Sequence, residues 1–132
     1  MRMLPQEEET GDDGTQVSWD DQQRINTFSK LNARIRSIME RVEVLKQEKE
    51  ALDDLSLELE LADEDELVLY RVGEAFLHMR HTQATRRLSK DQAAVDTEIS
   101  QLGTRADECE TEMKALKVAL YAKFGNAINL DE

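Results

Sequence analysis

Hydrophobic residues recur at alternating intervals of three and four along two long segments, with mostly charged and polar residues between them. This heptad spacing predicts helices that each carry one narrow apolar stripe, which must pack against another helix. The first stripe contains Phe28, Leu31, Ile35, Ile38, Val42, Leu45, Lys49, Leu52, Ser56 and Leu59. The second contains Leu88, Gln92, Val95, Ile99, Leu102, Ala106, Cys109, Met113, Leu116 and Leu120. At 1.5 Å per residue, each helix of about 40 residues is roughly 60 Å long.

Capping signals predict where these helices begin and end. Ser18 is followed three residues later by Asp21, an arrangement that resembles a capping box, so the first helix is predicted over about 18–61. Thr82 is the predicted N-cap of the second helix, over about 82–124. Gly125 then suits a left-handed C-terminal cap and is followed by a short C-terminal tail.

Between the helices the period changes to two, which predicts a β-hairpin over about 67–80. Gly73-Glu74 suits a two-residue type II′ turn, and that turn places Val72 opposite Ala75 and Tyr70 opposite Leu77. One side of the hairpin, the apolar face, contains Val68, Tyr70, Val72, Ala75, Leu77 and Met79. The opposite side, the mixed face, contains Leu67, Leu69, Arg71, Phe76, His78 and Arg80.

Two helices of equal length joined by a hairpin predict a mainly α fold, a long antiparallel two-helix coiled coil with one β-hairpin at its connecting end. The helices extend away from the hairpin in this arrangement, so its apolar face is expected to be uncovered. An isolated hairpin is marginally stable, and its two edges present unpaired backbone groups. We therefore expect hairpins from other chains to join it and close an intersubunit β-sheet or β-barrel. The predicted assembly residues are Val68, Tyr70, Val72, Gly73, Ala75, Phe76, Leu77 and Met79.

Most of the aromatic residues are expected at the other end of the coiled coil, together with aliphatic residues of both chain termini. These residues are Trp19, Ile25, Phe28, Leu116, Leu120, Tyr121, Phe124, Ile128 and Leu130. Two interpretations stay open: they close the coil end as a small self-packed cluster, or they form an adhesive surface for apolar segments of another protein.

Composition excludes several classes of protein. The 132 residues include 29 acidic and 17 basic side chains, a net charge of −12, which argues against nucleic acid or an anionic membrane as partner. The single cysteine fits a reducing compartment, and a cytosolic location is expected, with a nuclear fraction left open.

Residues 1–16 combine proline, glycines and acidic side chains without apolar periodicity, so a disordered acidic tail is predicted.

No constellation of residues indicates catalysis, a metal or another cofactor. His78 and His81 lie three apart in an extended segment and therefore point to opposite faces, which argues against a shared metal. Cys109 falls on the second stripe, where a small thiol packs well. The glycines are scattered rather than grouped in a phosphate-binding loop. An enzyme is the least favoured class.

Four stretches of residues 15–132 resemble prefoldin, specifically the β-class subunits, which have a single hairpin. They are VSWDDQQRINTF at 17–28, ELADED at 60–65, YRVGEAF at 70–76 and LYAKFGNAINL at 120–130. The last stretch is the most specific, whereas Trp19 and Arg24 vary the family pattern slightly.

The resemblance implies a heterohexamer of two α-class and four β-class subunits, whose hairpins form a β-barrel platform. It further implies that the coil ends bind unfolded proteins, notably actin and tubulin, and deliver them to the cytosolic chaperonin without nucleotide. Two alternatives stay open: a self-sufficient tethering coiled coil clipped by its hairpin, and an adaptor subunit of another prefoldin-like, transcription-associated assembly.

Overall fold

The computed structural model of this chain describes residues 2–3 and 16–130. Its elements are β1 (Arg2–Met3), α1 (Trp19–Leu61), β2 (Leu67–Val72), β3 (Ala75–Arg80), α2 (His81–Phe124) and β4 (Ile128–Asn129), with a 3-10 turn over Gly125–Ala127. The predicted mainly helical fold is confirmed, since α1 has 43 residues and α2 has 44. In the described part of the chain, neither helix is apolar over a length sufficient to cross a membrane.

The start of α1 follows the capping signal in the sequence. The backbone N–H of Asp21 donates to Ser18 Oγ at 3.1 Å, while the N–H of Ser18 donates to Asp21 Oδ2 at 3.2 Å. These reciprocal bonds satisfy backbone donors that have no partner within the helix. The expected cap at Thr82 is wrong, because α2 begins at His81, directly after β3, and Thr82 lies in its first turn.

The hairpin has the predicted register. Val72 pairs with Ala75, Tyr70 with Leu77 and Val68 with Met79. Gly73 has φ +65°. Among the described residues only glycines have positive φ, so Glu74, the second turn residue, does not. Positive φ at the first turn residue alone fits the expected type II′ turn. The turn therefore determines which strand residues share a face.

A substitution at this turn tests its role in stability. Gly73→Ala is expected to lower the free energy of unfolding by about 1–2 kcal/mol, because positive φ is unfavourable for a residue with a Cβ. Gly103→Ala is the matched control, since Gly103 lies inside α2 and an added Cβ there meets nothing within 4 Å. Because alanine favours helix over glycine, this control should raise stability by about 1 kcal/mol. Urea unfolding followed by circular dichroism measures both changes. Equal changes in the free energy of unfolding for the two variants would contradict the role of positive φ at Gly73.

The chain forms two compact units, each containing parts of both long helices. The terminal unit comprises Met1–Glu40 and Gly103–Glu132, and the hairpin unit comprises Arg41–Leu102. Within the hairpin unit, side chains of α1 and α2 bond in opposite chain order, as an antiparallel coiled coil requires. Arg41 Nε lies 2.8 Å from Glu98 Oε2, Lys49 Nζ lies 2.7 Å from Asp96 Oδ1, and Gln92 Nε2 donates to Asp53 Oδ1 at 3.1 Å.

The two chain termini contribute a small sheet to the terminal unit. Arg2 pairs with Asn129 and Met3 with Ile128 in antiparallel register. Most of the tail that was predicted to be disordered, residues 4–15, lies outside the described residues. Arg2 and Met3 are not disordered, because the strand Ile128–Asn129 supplies their backbone partners. The composition of the N-terminal segment could not indicate this pairing.

Candidate functional site

The terminal unit brings together the apolar residues expected at one end of the coil. We call this group the terminal cluster. Its buried members are Ile25, Phe28, Leu31, Cys109, Met113, Leu120, Phe124, Ala127, Ile128 and Leu130, with Val17, Ile35, Leu116 and Tyr121 packed against them and partly buried. Cys109 therefore packs within the coil, as its position on the second stripe predicted.

Burial within the terminal cluster favours the self-packed interpretation of most of its residues. Six of the nine predicted contact residues are buried: Ile25, Phe28, Leu120, Phe124, Ile128 and Leu130. The C-terminal segment contributes two of these side chains, and the backbone N–H of Leu130 donates to Tyr121 Oη at 3.1 Å. Trp19 is the exception, with 75% of its surface exposed. Trp19 is thus the predicted contact residue that another protein can reach directly.

A buried carboxylate joins the two helices beside the terminal cluster. Asp21 accepts hydrogen bonds from Ser18 Oγ at 2.8 Å, from Arg24 at 3.0 Å and from Lys123 of α2. Burial by itself raises the pKa of Asp21, but hydrogen bonds from Lys123 and Ser18 outweigh it and lower that pKa from 3.8 to about 2. The charged form of Asp21 is therefore stabilised by folding.

This lowered pKa predicts acid sensitivity of the terminal unit. Because the folded pKa lies below the unfolded one, the contribution of Asp21 is complete above pH 4 and is lost as the pH falls from about 4 to 2. Asp21→Asn is expected to lower the free energy of unfolding by about 1–2 kcal/mol at pH 6.

The difference between wild type and Asp21→Asn should shrink steadily between pH 4 and 2, and urea unfolding at fixed pH values measures it. Asp20→Asn is a suitable control, since Asp20 is an exposed neighbour in the same turn. A constant difference across this pH range would show that Asp21 stabilises the fold without its charge.

Four of the six residues of the apolar face are covered by helices of the same chain, so the expectation that this face is open is wrong for those four. Tyr70 and Met79 are buried against Leu59 of α1 and Ala84 and Leu88 of α2. Val68 and Val72 are partly buried in the same group, whereas Ala75 and Leu77 are exposed. The physical reason is that the hairpin lies back on the helices of its unit instead of continuing beyond them.

Polar contacts hold the hairpin in this position. Tyr70 Oη donates to Asp91 Oδ2 of α2 at 2.7 Å, and Arg87 Nε donates to Asp91 Oδ1 at 3.1 Å. Burial and the bond to Asp91 raise the pKa of Tyr70 above its usual range, so its hydroxyl stays protonated. His81, at the start of α2, donates from Nε2 to the carbonyl oxygen of Leu59 at 2.6 Å. This contact gives His81 a packing role.

The mixed face is the more accessible side of the hairpin, since all six of its residues are exposed within the described part of the chain. Leu67 is 64% exposed and Phe76 60%, and Leu69 is exposed between them. Sequence reasoning assigned Phe76 to assembly but missed Leu67 and Leu69, because it took the wholly apolar face to be the open one. Leu57 and Leu61 of α1 are also exposed. Their off-stripe positions are the sequence signal that could have identified them.

A groove of about 580 Å³ lies within the hairpin unit, between the helices and the hairpin turn. Leu52, Leu55 and Val72 supply apolar walls, and Glu48 and Arg71 are among the charged residues beside them. The polar stripe residue Lys49 pairs with Asp96 nearby. Among the described residues, no group of three potential ligands is placed to hold a metal ion.

Comparisons with known proteins agree with this architecture. A family model for prefoldin subunits matches residues 22–127. The chain is 44% identical over 131 residues to prefoldin subunit 4 of Saccharomyces cerevisiae, covering 99% of both chains. It is 34% identical over 116 residues to prefoldin subunit 4 of Homo sapiens, covering 87% of each.

This chain belongs to the prefoldin subunit family. Its fold matches the crystal structure of the prefoldin β subunit from Thermococcus strain KS-1 with a TM-score of 0.69 and 12% identity, over 83% of this chain and 96% of that one. The resemblance to β-class prefoldin is therefore confirmed, and within the family the resemblance is to subunit 4.

Membership of the prefoldin family bears on two surfaces of the chain, the mixed face of the hairpin and the region of Trp19. A prefoldin subunit is a component of a co-chaperone and assembles with other prefoldin subunits. The hairpin unit offers an accessible mixed face for such assembly, and both strand edges lack a third strand among the described residues. The terminal unit offers Trp19 beside a buried apolar cluster.

Proposed function

We propose that this chain is a subunit of a heterohexameric prefoldin of α- and β-class subunits. In this proposal the complex binds unfolded proteins, actin and tubulin among them, and delivers them to the cytosolic chaperonin without ATP. The chain's own role is non-catalytic, and its place of action is the cytosol, with a nuclear fraction left open. The observation that carries assembly is the exposure of Leu67, Leu69 and Phe76 on a hairpin whose two edges pair with no other described strand.

Assembly through the hairpin follows from its surface chemistry. Burying three large apolar side chains contributes about 1.5–3 kcal/mol each when fully removed from water, and a partner strand also satisfies unpaired backbone groups. The change Leu67→Ser/Leu69→Ser/Phe76→Ser should therefore abolish incorporation into the complex. Native mass spectrometry of the chain co-expressed with the other prefoldin subunits of its organism measures this loss.

Three exposed apolar residues outside the hairpin provide the matched control. Met39→Ser/Val44→Ser/Val118→Ser removes comparable exposed surface from the helices and should leave incorporation unchanged. Circular dichroism checks that both triple variants remain helical. Equal incorporation of both variants would contradict assembly through the mixed face. A wild-type chain that forms only a homodimer would favour the tethering coiled coil, and co-purification with transcription proteins would favour the adaptor.

Client binding is proposed to begin at Trp19. An exposed aromatic ring gives each coil a weak apolar contact, and several such contacts on one platform raise the total affinity through effective concentration. Leu116 and Tyr121 are only partly buried, so each keeps some accessible surface for a further apolar contact. Release then proceeds contact by contact, which requires no nucleotide.

A fluorine label isolates this contact, because Trp19 is the only tryptophan of the chain. A complex containing 5-fluorotryptophan only in this chain should show a shifted, broadened ¹⁹F signal when unfolded actin is added. Trp19→Ala should weaken suppression of actin aggregation, whereas Met39→Ala should not. An unchanged signal with bound actin would contradict contact at Trp19. Transfer of actin from the complex to purified chaperonin without nucleotide tests delivery.

A further inference from the structure

The mixed face of the hairpin carries positive charge in a strongly acidic chain. The strands Leu67–Val72 and Ala75–Arg80 contain two arginines, one histidine and no carboxylate, although the whole chain has a net charge of −12. The nearest carboxylates in sequence, Glu66 and Glu74, lie beyond the strand residues, before β2 and in the turn. The strands are thus a basic, apolar surface on an acidic protein.

Each open edge of the hairpin presents one arginine. On the mixed face, β2 carries Leu67, Leu69 and Arg71, while β3 carries Phe76, His78 and Arg80. Arg71 lies opposite Phe76 near the turn, and Arg80 lies opposite Leu67 near the helices. At about 3.3 Å per residue, four residues separate their rows by about 13 Å. The two charges therefore face different neighbours.

The guanidinium groups are available to a partner chain. Arg80 is exposed and forms no ion pair with another described residue. Arg71 is also exposed, and its Nε donates to the carbonyl oxygen of Gly73 at 2.9 Å. It too forms no ion pair with a described carboxylate. A carboxylate on an added strand would therefore meet a positive charge that forms no ion pair with the described residues of its own chain.

We propose that the mixed face selects heteromeric neighbours by charge: the strand added beside β2 supplies a carboxylate to Arg71, and the strand added beside β3 supplies one to Arg80. Opposite charges directly across strands are favourable and like charges unfavourable. In a ring of identical chains the strands would bring no carboxylate to this face, so the occupant is a different subunit with an acidic, apolar strand. This inference rests on the proposed assembly through the hairpin and specifies its partners.

Charge reversal tests the selection in the co-expressed complex. Arg71→Glu/Arg80→Glu should weaken incorporation roughly tenfold, the size expected when two attractive cross-strand pairs become repulsive. Arg34→Glu/Arg105→Glu is the matched control, because both arginines are exposed on helices of the terminal unit. Wild-type incorporation should weaken between 50 and 500 mM salt, whereas Arg71→Gln/Arg80→Gln should show little salt dependence.

Zero-length cross-linking identifies the groups in contact. Arg71→Lys and Arg80→Lys, each treated with carbodiimide in the assembled complex, should yield amide bonds to Asp or Glu residues in strands of two different subunits. Cross-links to a second copy of this chain would overturn the charge selection alone. The same conclusion would follow if Arg71→Glu/Arg80→Glu were incorporated as well as wild type. Failure of wild type to assemble would instead overturn the proposed function.

Discussion

Replacing Phe28 by alanine should lower the free energy of unfolding by about 3–5 kcal/mol, the usual cost of removing a buried aromatic ring. Phe28 is 0% exposed and lies in the terminal cluster, where residues of both helices and the C-terminal segment pack together. A cavity in this cluster removes contacts from all three segments at once, so collapse around it is limited. Urea unfolding of the full chain, followed by circular dichroism, measures the change.

Phe76→Ala is the matched control, because it deletes the same ring from an exposed position. Its effect on unfolding should stay within about 0.5 kcal/mol, as expected for a surface substitution. Incorporation into the complex should show the opposite order of effects. Phe76→Ala should reduce incorporation, because it removes part of the mixed face. Phe28→Ala should reduce it less, because that variant is less stable but retains the mixed face. Similar unfolding midpoints for both phenylalanine variants would contradict the self-packed terminal cluster.

The contrast between Phe28 and Trp19 separates stability from the proposed client contact within the terminal unit. Both are aromatic, and both were expected at the same surface. Phe28 falls on the heptad stripe and is buried, whereas Trp19 is the first residue of α1 and lies outside the stripe. Loss of client contact without loss of stability is therefore expected only for Trp19.

Local signals explain why much of the fold could be predicted from the sequence. The bonds between Ser18 and Asp21, the positive φ of Gly73 and the strand register all depend on residues close together in the chain. The heptad stripes likewise indicate which side of each helix is buried. Such features are largely independent of what the rest of the chain contacts.

The residues that pack against each apolar surface could not be predicted in the same way. Alternation shows that Tyr70 and Met79 share a face, but it does not show that Leu59, Ala84 and Leu88 cover that face. An apolar side chain gains from leaving water whether its neighbour belongs to the same chain or to another. For this reason the expectation that the whole apolar face is open was wrong, whereas its role in assembly stays a prediction.

Tyr70 provides the second large effect, because it attaches the hairpin to the helices. Its ring is 1% exposed, and its hydroxyl is bonded to Asp91. Tyr70→Ala should lower the free energy of unfolding by about 3–5 kcal/mol. Tyr70→Phe retains the ring and should cost only about 1–2 kcal/mol, since Asp91 loses one donor but keeps Arg87.

A double-mutant cycle of Tyr70→Phe with Asp91→Asn isolates the hydroxyl–carboxylate bond, with an expected coupling of about 1 kcal/mol. Tyr70→Ala should additionally weaken assembly, although Tyr70 lies on the covered face, because a hairpin released from its helices no longer holds the mixed face in one orientation. Tyr70→Phe should assemble normally. Weakened assembly by both variants in equal measure would instead mean that the tyrosine hydroxyl itself contacts a neighbouring subunit.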